Sequence, residues 1–321
     1  MVVQPKLSQH PDARFVVKWK RRFSRVLTDS RWTRFYLQSL VRDPNHRRLL
    51  ASVVAKWLPK TPLPKGPGDE VRSLVRNMQD QGYATLDGIF TKEKASEIRA
   101  YFANRQCYDP CRPEIKGFTD PNLAERACLH AYFPAAEVAA APHILELANH
   151  PLVLGAVEAI FGAKPMISNI FVWWLLHGFD HQANTHDTYA CRPHEFHRDM
   201  DDLAAVKLYV YLTDVDETSG PHAVIRGSHR WSLPKRQRSL QLSDPAYPSK
   251  ENLHLIMGPA GFAWLENSFT LHRAIIATGK HRLIIAITYT LLPVAFGPNE
   301  PFLPKDGRKL DPYTNQVFIQ A

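Results

Sequence analysis

The chain has 321 residues, 45% hydrophobic and 22% charged, the make-up of an ordinary globular protein long enough for one large domain with an extension, or for two domains. Its four cysteines are too few for a disulfide framework in a chain of this length, and they read as free buried thiols. The net charge of +9 is unevenly placed: residues 1–65 hold fifteen Lys and Arg against three Asp, a net of +12, which leaves −3 for the remainder.

Residues 12–58 predict two or three helices. Phe15, Val16, Trp19, Phe23, Val26 and Leu27 fall on one helical stripe, with Arg14, Lys18, Arg21, Arg22 and Arg25 largely opposite. Leu49, Leu50, Val53, Val54 and Trp57 repeat the pattern after Pro44. Such helices either pack on the rest of the chain with a solvated charged face, or make peripheral contact with an anionic membrane surface. No nucleic-acid-reading motif accompanies the basic residues, so nucleic acid is not an expected partner. The Pro- and Gly-rich stretch 59–68 reads as a linker. The expected division is therefore a basic helical N-terminal extension over 1–65 and a second domain over 66–321. No signal-like apolar region opens the chain, and no apolar run reaches the ~18 residues of a membrane span. The expected location is cytoplasmic, peripheral at the inner membrane surface if the extension binds lipid.

A helix follows from about Asp69, as N-cap, to Gln81, and another opens at Thr91 with Ala95, Ile98, Tyr101 and Phe102 inward. A third lies within His143 to Phe161, interrupted near Pro151, and Tyr83–Leu86 reads as a short strand between the first two. From Met166 the pattern turns to β. Strands are predicted at Met166–Leu176, Val206–Thr213, Ala223–Ile225, Phe262–Leu265 and Leu283–Leu292, punctuated by turn chemistry at 219–222 and 258–261. Short strands without βαβ alternation imply a mainly β protein with flanking helices, its core a sandwich or jelly roll.

The chemistry sits in that β part. His197 and Asp199 are two positions apart, and alternate residues of a strand share a face, so both can reach one metal while Arg198 points away. His272 supplies a remote third ligand. Two imidazoles and one carboxylate form the facial set of a non-haem Fe(II) site, with open positions for a bidentate 2-oxo acid and for O2. Arg282 opens a strand that is apolar on both faces, where a buried guanidinium needs an anionic partner. The distal carboxylate of 2-oxoglutarate provides one. A ferrous ion, one Asp, the 2-oxoglutarate dianion and one Arg are together electrically neutral, and the planar fork suits a carboxylate.

These residues also carry a resemblance. His197-Arg198-Asp199, the run Lys207 to Asp216, Ser219-Gly220-Pro221, Gly227-Ser228-His229 and the His272/Arg282 pair resemble the phytanoyl-CoA dioxygenase (PhyH) family over roughly Gly82 to Leu292. The resemblance implies a double-stranded β-helix (cupin-like jelly roll), Fe(II), 2-oxoglutarate and hydroxylation of an unactivated C–H bond. Carried over by position, His197, Asp199 and His272 ligate iron and Arg282 binds the cosubstrate. Tyr209 either contacts the cosubstrate or packs in the core, and Gly227-Ser228-His229 is either a turn or a substrate contact. Asp199 keeps the carboxylate that related halogenases replace, which implies a hydroxylase. The expected substrate is small or linked to a lipid or glycan. A rim formed by 178–196 (His181, His186, His194) and 230–250 (Lys235, Arg236, Arg238) would suit an anionic one. A cupin-like isomerase or binding module, or a membrane-surface scaffold with a vestigial barrel, would share the ligand set without needing Arg282.

Overall fold

The computed structural model describes residues 24–61, 68–180, 195–232, 239–240, 250–298, 301, 303, 307 and 309–319. Phe15 to Phe23 of the first basic stripe, Cys191, and the rim residues His181, His186, His194, Lys235, Arg236 and Arg238 lie outside these.

Two antiparallel sheets face each other. The larger has the order β1-β9-β5-β11-β3-β2, with β1 Tyr83–Leu86, β2 His130–Tyr132, β3 Met166–Leu175, β5 Ala205–Tyr211, β9 Ala263–Asn267 and β11 Arg282–Thr290. The smaller has the order β7-β4-β10-β6-β8, with β4 Phe196–His197, β6 His222–Ile225, β7 Ser239–Leu240, β8 Leu253–Ile256 and β10 His272–Ala274. This is the double-stranded β-helix expected from sequence.

The alternation of side chains explains where the site must be. On β11, Leu283, Ile285, Ile287 and Tyr289 join the main apolar core with Ile98, Leu147 and Val157 of the flanking helices. Each such aliphatic side chain, fully withdrawn from water, contributes about 1.5–3 kcal/mol. The intervening Arg282, Ala286 and Thr288 turn to the other face and line a cavity between the sheets. Strand β5 repeats the scheme: Val206, Leu208 and Val210 face the helices, Lys207 and Tyr209 the cavity. Burial of both faces thus gathers Arg282, Thr288 and Lys207 of these two strands where the sheets enclose the cavity.

The helices follow their sequence signals. Asp69–Gln81 forms as expected, but Gly68 is its N-cap and Asp69 stands in the first turn. Thr91 caps Lys92–Phe102 by accepting from the Lys94 N–H. The stretch Ile144–Phe161 is apolar and long enough to cross a membrane by length and composition. It is folded as two helices, Ile144–Ala148 and Pro151–Phe161, whose Ile144, Leu147, Val153 and Val157 are in the core. In the extension, α1 (Ser30–Gln38) and α2 (Pro44–Ala55) follow helical residues 24–28. Asp29 caps α1 and Asp43 caps α2. The cysteine expectation holds in part: Cys107 and Cys128 are free and buried, whereas Cys111 is disulfide-bonded. Burial pushes both free thiols up to about 12.

Candidate metal centre

His197 and His272 are directly opposed in the β4–β10 ladder, and Asp199 lies two residues beyond the first. The ladder therefore brings residues 75 apart in sequence into register. One ligand atom from each of the three lies within 4.8 Å of the others, so the set can hold one metal ion. The His197 Nε2 is 3.7 Å from Asp199 Oδ1, and the His272 Nε2 is 3.5 Å from Asp199 Oδ2. Each ring is turned by its other nitrogen: Nδ1 of His197 donates to the Glu195 carbonyl at 2.8 Å, and Nδ1 of His272 to that of Thr270 at 2.9 Å. Those bonds fix the tautomer and leave the Nε2 lone pairs free to coordinate. As expected, Arg198 points away, donating to the carbonyls of Ser228 and Trp231.

Electrostatics favours the ligating protonation states of His197 and Asp199. Burial, then the neighbouring His272, hold His197 down at about 4, so it is neutral at pH 7. Burial raises the Asp199 carboxyl, but Lys207 and the two histidines outweigh it and keep the group ionised. For His272, burial pulls the pKa down while Glu266 and Asp199 pull harder upward, leaving it raised.

Two neighbours of the ligands escaped the sequence reading. Lys207 contacts Asp199 Oδ2 and lies 3.6 Å from Asp201 Oδ2, so the second carboxylate oxygen is tied to an ammonium. Glu266, 1% exposed, sits behind His272, its Oε1 3.1 Å from that Nδ1. The Nδ1–H itself is directed at the Thr270 carbonyl, so Glu266 acts there through charge. Its Oε2 meets Nε2 of His222 at 2.9 Å and accepts from Trp264 Nε1. A charged residue inside a strand buried on both faces is the signal that would have found Lys207 and Glu266.

Ser228 shows what the Gly227-Ser228-His229 turn does. Its Oγ accepts from the Leu271 N–H at 2.8 Å while its carbonyl takes Arg198, so one turn braces both ligand segments.

Arg282 opens β11 and is 1% exposed. Its NH1 group donates to the Gly220 carbonyl, and its guanidinium lies 5.7 Å from the Tyr211 ring centroid. Gly220 can present that carbonyl because its backbone is left-handed (φ 68°) and a Cβ there would meet the Ile275 carbonyl at 2.5 Å. The Arg282 Nε has no hydrogen-bond partner. A buried donor of this kind can take an acceptor that the described residues do not supply. Arg282, the three candidate ligands, Lys207 and Tyr209 all line one cavity of about 380 Å3. Tyr209 is stacked on Trp264, centroids 5.0 Å apart, so it is at once a packed aromatic and part of the cavity wall. Tyr132, Phe171, Trp173 and Phe296 complete an aromatic rim with Asn169 and Thr288.

A family model described as Phytanoyl-CoA dioxygenase (PhyH) matches residues 78–274. Among solved structures, HygX from Streptomyces hygroscopicus with nickel and 2-oxoglutarate is 17% identical, covering 70% of this chain and 88% of its own, with a TM-score of 0.49. The non-haem alpha-ketoglutarate-dependent carbocyclase SnoK from nogalamycin biosynthesis is 18% identical over 70% of this chain and 86% of its own (TM-score 0.48). The epimerase SnoN from the same biosynthesis is 16% identical over 68% and 82% (TM-score 0.44). No curated protein matches the chain.

Proposed function

The chain belongs to the phytanoyl-CoA dioxygenase family, and from that premise we propose that it hydroxylates an unactivated C–H bond of a small or lipid- or glycan-linked molecule, releasing succinate and CO2. It is a non-haem iron, 2-oxoglutarate-dependent enzyme, and its donor set fits both groups: two imidazoles, one carboxylate, and a buried guanidinium lining the same cavity. The observation that carries the reading is the buried guanidinium of Arg282 lining the same cavity as His197, Asp199 and His272, since an isomerase or binding module has no use for a buried cation there.

We assign His197, Asp199 and His272 as iron ligands, Arg282 as the partner of the cosubstrate's distal carboxylate, and Tyr209 as a wall of the cosubstrate pocket. Iron and 2-oxoglutarate, once bound, would activate O2 to cleave the C–H bond, one oxygen atom going to succinate and the other to the product. The chain's own part is orientation: the carbonyls of Glu195 and Thr270 hold both imidazoles, and Lys207 holds the outer oxygen of Asp199. The aromatic rim excludes water and offers apolar faces to a small substrate. The test is a panel of candidate substrates with iron-loaded protein. Succinate release coupled to a product heavier by one oxygen atom supports hydroxylation. Substrate turnover without succinate contradicts it.

We further propose the division at residue 65, with the extension an accessory to the oxygenase domain, and a cytoplasmic enzyme whose extension touches the inner membrane surface. Leu37, Leu40, Leu49, Leu50, Val53 and Trp57 are exposed, Trp57 at 87%. On α2 and the turn after it, Leu49, Leu50, Val53 and Trp57 make one stripe, flanked by exposed Arg48, Lys56 and Lys60. An apolar stripe with a basic border suits anionic lipid. Cosedimentation with phosphatidylglycerol vesicles that is lost in Leu50→Glu and absent with phosphatidylcholine supports this. Equal binding by wild type and variant contradicts it.

A further inference from the structure

The extension lies outside the family match, yet its inner face reaches the iron-ligand segment. Lys207 holds one oxygen of the Asp199 carboxylate, but the backbone that carries it needs further support. Its strand, β4, ends at His197, so no ladder fixes the carboxylate that follows. Packing does not fix it either. Behind it a second cavity, of about 510 Å3, is lined by Asp199, Asp202 and Phe269 together with Arg47, Arg48 and Ala51 of α2.

What holds the segment is a set of hydrogen bonds to residues 199, 200 and 202. Asp199 N–H donates to the Ser268 carbonyl at 2.9 Å. The next carbonyl, that of Met200, accepts from Gln38 Nε2 at the end of α1. The carbonyl of Asp202 accepts from Arg47 of α2. Arg47 in turn donates to the Gln38 side chain at 2.6 Å and to the carbonyls of Gln38 and Val41 at 2.9 and 2.8 Å. The Asp202 carboxylate accepts the N–H groups of Leu291 and Leu292, both at 3.0 Å, just past the strand that begins with Arg282. Arg47 and Arg198 both lie over the Phe269 ring, at 4.9 and 4.3 Å. Gln38 and Arg47 are 7% and 4% exposed, on helices whose outer faces are open to water. The same α1 holds the cavity wall: Trp32 and Phe35 pack edge-on against Phe296, each at 5.0 Å, and Arg31 donates to the Pro298 carbonyl.

From this geometry we infer that the N-terminal extension is part of the active-site machinery, with Gln38 and Arg47 as positioning residues that set Asp199 for metal binding. The inference rests on the metal assignment above. The two inward residues, 197 and 199, ligate; the carbonyls of 200 and 202 are anchored outward to the extension. Losing an anchor leaves the fold of the sheets intact but lets the carboxylate swing, and outer supports of this kind are typically worth about 10–100-fold in metal affinity.

The test uses full-length protein and Co(II) alone, with affinity by calorimetry, the visible Co(II) spectrum as a report of coordination, and thermal unfolding of the metal-free protein. Gln38→Met and Arg47→Met are each expected to weaken Co(II) about 10–100-fold and to alter the spectrum. Arg47→Lys, which keeps a donor for Asp202, is expected to recover part of the loss. Glu70→Gln, exposed on the helix Asp69–Gln81 and outside both cavities, is expected to change nothing. If Arg47→Met does not fold, Gln38→Met, which removes the single bond to Met200, decides the matter. Wild-type affinity and spectrum in a folded Gln38→Met protein overturn the inference while leaving the metal assignment standing. A wild-type protein that binds no Co(II) overturns the assignment and this inference together.

Discussion

Arg282→Met separates a functional guanidinium from a structural one. The side chain is 1% exposed; in the metal-free protein it donates to the Gly220 carbonyl, has Tyr211 beside it, and its Nε has no partner among the described residues. Burial lowers its pKa against the weaker pull of the surrounding tyrosines, the mark of a charge held at a cost. Replacing such a charge with an apolar side chain of similar length is often neutral or stabilising by about 1–4 kcal/mol. The Gly220 carbonyl loses its donor, which offsets part of that gain, so urea unfolding of the metal-free variant is expected at or slightly above wild-type stability. Binding of 2-oxoglutarate behaves in the opposite way. Loss of one partner of a buried charged hydrogen-bond pair removes about 2–5 kcal/mol. At about 1.4 kcal/mol per factor of ten, the dissociation constant rises about 30-fold to several thousand-fold. Calorimetry on Co(II)-loaded protein under argon measures it. A variant that binds 2-oxoglutarate within twofold of wild type refutes the role given to Arg282. A variant that loses several kcal/mol without ligand shows instead that the guanidinium is a strut for the Gly220 turn.

Other expectations concern the supports of the ligands. Glu266→Gln removes the charge behind His272 and is expected to weaken Co(II) about 10–100-fold in a folded protein, read by calorimetry. Lys207→Met leaves Asp199 buried without its ammonium and is expected to destabilise the metal-free protein by about 3–5 kcal/mol, with Co(II) restoring more stability than it gives wild type; urea curves with and without the metal report both. His229 is held down at about 4 chiefly by burial; its Nε2–H is bonded to the Gln79 carbonyl and its Nδ1 has no partner for a second proton. Its folded pKa lies below the ordinary 6.5, so the unfolded chain takes up the proton first as pH falls. Stability from this residue is full above about 6.5 and is lost progressively towards pH 4, on the order of 3 kcal/mol in all. His229→Gln is expected to flatten the pH dependence of urea unfolding across that window, and an unchanged slope would speak against it.

Much of the site was legible because its residues violate their surroundings in simple ways. A His-x-Asp beside β-forming runs and an Arg at the head of Leu283-Ile284-Ile285 are costly unless something charged joins them, and the ladder places His197 opposite His272. The strand run at 206–213 and the helix at 69–81 were visible from periodicity. Strand β4 was not, since two residues give no pattern, and β10 and β2 were too short for the same reason. Lys207 was hidden inside a good strand, where a lysine ordinarily faces water. The link from Gln38 and Arg47 to the Asp199 segment spans more than 150 positions, and helical periodicity assigned both residues no special place.

The most direct measurement is an anaerobic titration of Fe(II) and 2-oxoglutarate followed by visible absorption. A weak charge-transfer band that appears only when both are present, in wild-type protein but not in Asp199→Ala or His272→Ala, is the expected result. No band at saturating concentrations of both, or a band that survives in those variants, would contradict the assignment of this cavity as the iron and 2-oxoglutarate site.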